Sequence, residues 1–77
     1  MNFPGTLQEL KELVAVLGEP GHWLHEGPFE EFVFDSGERL NWWASNGQLT
    51  VSGHPETRAL LIGRLVEADG RLEPPSD

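Results

Sequence analysis

The stretch FEEFVFDSGERLNWWASNGQLTVS, residues 29–52, carries apolar side chains at every second position and so specifies an antiparallel β-meander. Phe29–Phe34 reads as a first strand, Asp35-Ser36-Gly37-Glu38 as a turn, and Arg39–Ala44 as a second strand. Asn46-Gly47 is a two-residue hairpin signal, since both residues tolerate the positive φ of a type I′ turn, and Gln48–Ser52 follows as the third strand. Alternation assigns Phe32, Phe34, Leu40, Trp42, Leu49 and Val51 to an inner face. Glu31, Val33, Asn41, Trp43, Gln48 and Thr50 then point outward. Adjacent tryptophans in a strand face opposite ways. One of Trp42 and Trp43 is therefore core, and the other lies on the open face unless the segment around Trp23 covers it.

On both sides of this stretch the period becomes helical. Thr6 and Glu9 stand at capping-box spacing, and Leu7, Leu10, Val14 and Leu17, widened by Leu13, form one stripe. Gly18 is a left-handed cap and Pro20 blocks continuation, so a helix is expected over Leu7–Leu17. Glu19–Pro28 contains Pro20, Gly21, Gly27 and Pro28 and reads as a loop, with Trp23 and Leu24 as a short extended piece folded back on the core. After Gly53, Pro55 and Glu56 suit a first helical turn. Leu61, Leu65 and Ala68 share a stripe widened by Leu60, Ile62 and Val66, and Asp69-Gly70 ends the helix. The expected fold is α+β, in the order α-β-β-β-α: a three-stranded antiparallel meander sheet with two helices packed on one face. Residues 1–70 form a single domain, and 71–77, with Pro74-Pro75, are expected to be a disordered tail.

At 77 residues the chain supports one small domain, which buries roughly 60% of the surface its unfolded form exposes. There is no cysteine, so neither a disulfide nor a thiolate metal site helps. Three tryptophans and four phenylalanines, each burying on the order of 150–250 Å², supply much of the core. No apolar run approaches the roughly 20 residues of a membrane span. Residues 1–12 lack the basic and apolar blocks of a signal peptide, and the expected location is the cytoplasm of a bacterial host cell.

The net charge is −8, from thirteen acids and five bases. Its distribution is lopsided: Glu12, Glu19, Glu26, Glu30, Glu31, Asp35 and Glu38 fall in a 27-residue segment without one lysine or arginine. A nucleic-acid binder needs cations to displace counterions from phosphates, so direct binding to DNA or RNA is not expected. Carboxylates two apart on a strand stand about 6.8 Å from each other on one face. With others from turn and loop they present an array somewhat like a phosphate backbone, attractive to a basic groove.

Catalytic patterns are wanting. His22 and His25 lie in the Gly/Pro segment rather than on one helical face, and His54 is remote, so no metal site is expected. Ser36, Ser45 and Ser52 sit in turns or at strand ends. Glu30 and Glu31 face opposite ways and make no acid/base pair. The chain has no nucleophile elbow, phosphate loop or dinucleotide fingerprint, and it is read as a non-enzyme without cofactor.

Leu40-Asn41-Trp42-Trp43-Ala44-Ser45-Asn46-Gly47-Gln48-Leu49-Thr50-Val51-Ser52-Gly53 and the helix after it resemble the TBP-like N-terminal domain of ribonuclease HIII. That resemblance implies the strand-turn-strand-helix order. Gln48 stands where a base is usual in that family, so nucleic-acid binding does not carry over. In size and acidity the chain is also similar to the small proteins that phages and mobile elements direct against host defences, anti-CRISPR proteins among them, several of which are DNA mimics. This likeness implies a non-enzymatic inhibitor of a basic DNA-binding complex, for example a CRISPR effector. The residues expected to carry binding are Glu19, Glu26, Glu30, Glu31, Asp35 and Glu38, with Trp43 as an apolar anchor. The alternatives are a nucleic-acid module stacking bases on Trp43 and a regulatory protein that dimerises through it; otherwise a monomer is expected.

Overall fold

The computed structural model describes residues 1–72, and residues 73–77 of the expected tail lie outside that range. The chain runs α1 (Leu7–Leu17), β1 (Gly21–His25), β2 (Glu30–Phe34), β3 (Arg39–Trp43), β4 (Gln48–Ser52) and α2 (Pro55–Ala68). The strands form one antiparallel meander in the order β1-β2-β3-β4. The α+β class and the strand order from Glu30 onward agree with the sequence reading, but the sheet has four strands rather than three.

The extra strand is β1, in the segment expected to be a loop. Its glycines and prolines bracket a strand instead of dissolving one. Gly18 closes α1 at φ 72°, and Gly27, at φ 71°, forms a tight turn with Pro28 that the Glu26 N–H to Phe29 carbonyl bond closes. Gly21 alone lies inside the strand. A Cβ there would stand 2.4 Å from the Val33 carbonyl oxygen and 2.6 Å from the Phe32 ring, so the position admits only glycine without displacement. Trp23 pairs with Phe32, their rings edge-to-face at 5.0 Å.

Helix α1 begins as its capping box dictates: Thr6 N–H donates to Glu9 Oε1 at 3.0 Å and Glu9 N–H to Thr6 Oγ1 at 3.2 Å. Leu10, Leu13, Val14 and Leu17 of α1 and Leu61 and Leu65 of α2 share one core with the inward side chains of β2, β3 and β4. Leu60, placed on the apolar stripe of α2 by spacing, is exposed, as is Ala68. The buried face of α2 is narrow because α1 shares the same side of the sheet.

Two further contacts complete the core. Residues 1–3 lie along the free edge of β4, where Leu49 N–H donates to the Met1 carbonyl and Phe3 N–H to the Gly47 carbonyl, both at 2.8 Å. Phe3 is fully buried, edge-on to Trp42 at 6.3 Å. At the other terminus the sequence reading needs correction at two positions: Arg71 and Leu72 are not tail. Leu72 enters the core, and Arg71 pairs with Asp69 and Glu9 and lies over the Phe3 ring. Capping that open end with an apolar side chain and a held guanidinium excludes water from Phe3.

The β3–β4 connection also differs from a two-residue hairpin. Trp43 pairs with Gln48, so Ala44–Gly47 is a four-residue loop, closed by Gly47 N–H to the Trp43 carbonyl at 2.7 Å. Gly47 has φ 75° but Asn46 keeps a negative φ, and its Oδ1 instead accepts from Gln48 N–H at 2.9 Å. The longer loop leaves room for Phe3 to reach the Gly47 carbonyl.

Candidate functional site

Both helices occupy one side of the sheet, and the other side displays three cross-strand rows. The register places His22, Val33, Arg39 and Ser52 in one row and Leu24, Glu31, Asn41 and Thr50 in the next. Phe29 and Trp43 head the third, their rings tilted at 37° with centroids 5.0 Å apart. The tryptophan ambiguity is resolved by this register: Trp42 is core and Trp43 is half-buried on the outer face. Phe29 is what covers Trp43. Trp23 lies on the opposite face and does not.

The middle row is electrostatically unusual. Glu31 is only 7% exposed, although no helix covers this face. Leu24 and Asn41 flank it across the strands, and the side chains of Phe29 and Val33 flank it along β2. Its nearest cation is Arg39, whose Nη1 lies 3.9 Å from Glu31 Oε2, beyond hydrogen-bond reach. Beside it, Asn41 Oδ1 is buried without a hydrogen-bond partner among the described residues. Of these two neighbouring acceptors, Asn41 Oδ1 is the one that is buried without a donor, while the Glu31 carboxylate pairs at longer range with Arg39.

The remaining predicted residues do not join this surface as one array. Glu30 follows the inner-face phase of Phe32, at the sheet's end, and its Oε1 meets His25 Nδ1 at 2.5 Å. Glu26 sits exposed in the β1–β2 turn and Asp35 in the β2–β3 turn, at opposite ends of β2. Glu19 binds the Arg64 guanidinium, which also donates to the Leu17 carbonyl at 2.7 Å and so ties α2 to the end of α1. Glu38, expected to be a surface acid, is buried. Its carboxylate accepts from the Ser36 hydroxyl, which is the largest cause holding its pKa below the usual value, with Thr57 of α2 close by as a smaller one. It joins the β2–β3 turn to the first turn of α2. Sequence alternation missed this because strand-end and turn residues follow no face rule.

Glu19, Glu38 and Arg64 also line a cleft of about 200 Å³ floored by Phe34 and Leu61. Its polar groups are engaged with one another as described. No set of three histidine, aspartate or glutamate side chains among the described residues is placed to hold a metal ion. No described helix is long and apolar enough to cross a membrane.

Comparison with protein-family models, with curated proteins and with solved structures finds no match for this chain. The outer face of the sheet remains the candidate binding surface. Sequence alternation had Glu31, Asn41 and Trp43 on that face. It missed His22 and Leu24, which become visible as part of it only once residues 21–25 are known to be a strand, and it did not name Phe29, which shares the phase of Glu31 and Val33.

Proposed function

We propose that this protein is a non-enzymatic binding protein that docks the outer face of its sheet onto a basic, nucleic-acid-handling protein of a bacterial cell and inhibits it by competing with nucleic acid. An anti-defence role of the anti-CRISPR kind is the most concrete form of this reading. One observation carries it: a sheet face that no helix covers among the described residues presents a half-buried aromatic pair, Phe29 and Trp43, on a chain of net charge −8. Aromatic side chains anchor protein interfaces, and a strongly acidic protein is drawn to a basic groove. Glu26 and Asp35 extend the negative potential to both ends of β2. Competition on this reading works through charge and the aromatic anchor. A copied phosphate spacing is not required, which suits the opposed directions of Glu30 and Glu31.

The test is capture of a nucleic-acid-binding protein from nuclease-treated bacterial lysate, followed by competition with DNA for the captured partner. Capture should occur at low salt, fail at high salt, and be lost in Trp43→Ala and weakened in Glu26→Lys/Asp35→Lys, with circular dichroism unchanged. Capture that the Trp43 variant leaves intact would overturn the reading. So would recovery of nucleic acid alone, which would favour base stacking on Trp43.

A further inference from the structure

We propose that the free edge of β1 pairs with the same edge of a second copy of this chain, joining two four-stranded sheets across a two-fold axis. The proposal goes beyond the docking reading and does not rest on it. Pairing uses the rim of the sheet and leaves the outer face uncovered.

The sheet treats its rims differently. Along β4, residues 1–3 supply the missing neighbour: Leu49 N–H donates to the Met1 carbonyl and Phe3 N–H to the Gly47 carbonyl. Along β1 no described residue does so. At the two ends of the β1–β2 ladder, Asp35 N–H donates to the Pro20 carbonyl and Glu26 N–H to the Phe29 carbonyl, both at 3.0 Å. Hydrogen-bonded pairs alternate along an antiparallel ladder, so His22 and Leu24 bond to Val33 and Glu31. Gly21, Trp23 and His25 therefore turn their N–H and C=O groups away from the sheet. Folds blunt such an edge with lysine, proline or a bulge. The strand GHWLH, in unbroken register with β2, contains none of these.

The outward residues are symmetric about Trp23, which selects a second copy as the occupant. Antiparallel pairing centred there sets Trp23 against its own counterpart and Gly21 against His25 of the second copy. Every outward donor and acceptor of both strands is then satisfied, as a two-fold interface requires of a surface that must complement itself. The side chains agree. Trp23, half-buried on the helix side, gains a cross-strand aromatic partner, and Leu24, 38% exposed on the outer side, meets His22 of the second copy. Net charge would otherwise hold two copies apart, but β1 has no aspartate, glutamate, lysine or arginine. Nearby, Glu19 is bound to Arg64 and Glu30 to His25. The register sets Glu26 opposite Pro20 of the second copy. The two Glu26 side chains thus stand at opposite ends of the seam, roughly 20 Å apart and beyond the Debye length of about 8 Å.

A seam of one strand from each copy is small, so the dimer should be weak. Sedimentation velocity from about 5 µM to about 1 mM should show a monomer–dimer equilibrium. Amide hydrogen exchange over the same range locates the seam. Gly21, Trp23 and His25 N–H should exchange quickly when dilute and slow severalfold on concentration, whereas His22 and Leu24 N–H, bonded to β2, should be slow throughout. His25→Pro should raise the dissociation constant roughly tenfold or more, because it deletes an outward donor from each copy and no bond of the β1–β2 ladder. A protein that stays monomeric throughout would overturn the proposal. So would a dimer whose three outward amides still exchange freely, as one formed through Trp43 would, or undiminished association of folded His25→Pro. Exchange in the parent decides the matter if that variant does not fold. Protection of the same amides by a captured protein, with the parent alone monomeric, would refute the second copy and give the edge to a foreign strand.

Discussion

Gly21→Ala separates a strand from a loop by the sign of its effect. Gly21 has no positive φ, so in a mobile loop an added methyl would restrict the unfolded chain and stabilise by about 0.4–1 kcal/mol. In β1 the same methyl carbon would stand 2.4 Å from the Val33 carbonyl oxygen and within 2.7 Å of two Phe32 ring atoms. The carbonyl belongs to the paired strand and cannot swing aside. Relief requires β1 to move off β2, or Phe32 to leave its place against Trp23 and Phe34. Overpacking of this kind costs about 1–3 kcal/mol. For a domain of this size each kcal/mol is worth roughly 4–8 °C, so Tm should fall by about 5–20 °C. Thermal unfolding followed by far-UV circular dichroism measures it. Gly63→Ala is the control, since a Cβ there meets nothing within 4 Å and α2 gains helix propensity; its Tm should rise. A Tm for Gly21→Ala equal to or above the parent's would refute the four-stranded sheet.

Two further expectations concern the ties between elements. Thr6→Ala removes the side-chain half of the capping box and should cost about 1 kcal/mol, read as a Tm lowered by roughly 4–8 °C. Glu9, Glu38 and Asp69 all have folded-state pKa values below their ordinary ones, held down chiefly by hydrogen bonds from Thr6, Ser36 and Arg71 respectively. A depressed carboxyl pKa contributes stability that is present above the unfolded value and lost as pH falls through the folded one. Tm should therefore hold at neutral pH and drop as pH passes below about 4.5, and Glu38→Gln should flatten that drop. A Tm rising on acidification would contradict the assignment.

What the sequence alone determined were the features with local causes. The Thr6–Glu9 box, the Leu stripe and Gly18 define α1 because each acts within one or two helical turns. The alternation from Phe32 to Val51 sorts core from outer face because a strand has no other period, and it required one of Trp42 and Trp43 to be core, which the structure settles as Trp42. Tertiary structure decided the rest. Residues 21–25 became a strand because Gly21 fits under Phe32 and the Val33 carbonyl, a contact between segments that no local pattern announces. Glu19 stays exposed but has its charge paired by Arg64 of α2, and Glu38 left the acidic surface because Ser36 and Thr57 were brought to it by the β2–β3 turn and α2. The candidate site itself arose the same way. Phe29 and Trp43 are fourteen residues apart in sequence, as Glu31 and Asn41 are ten, and only the β2–β3 register brings each pair together on the outer face.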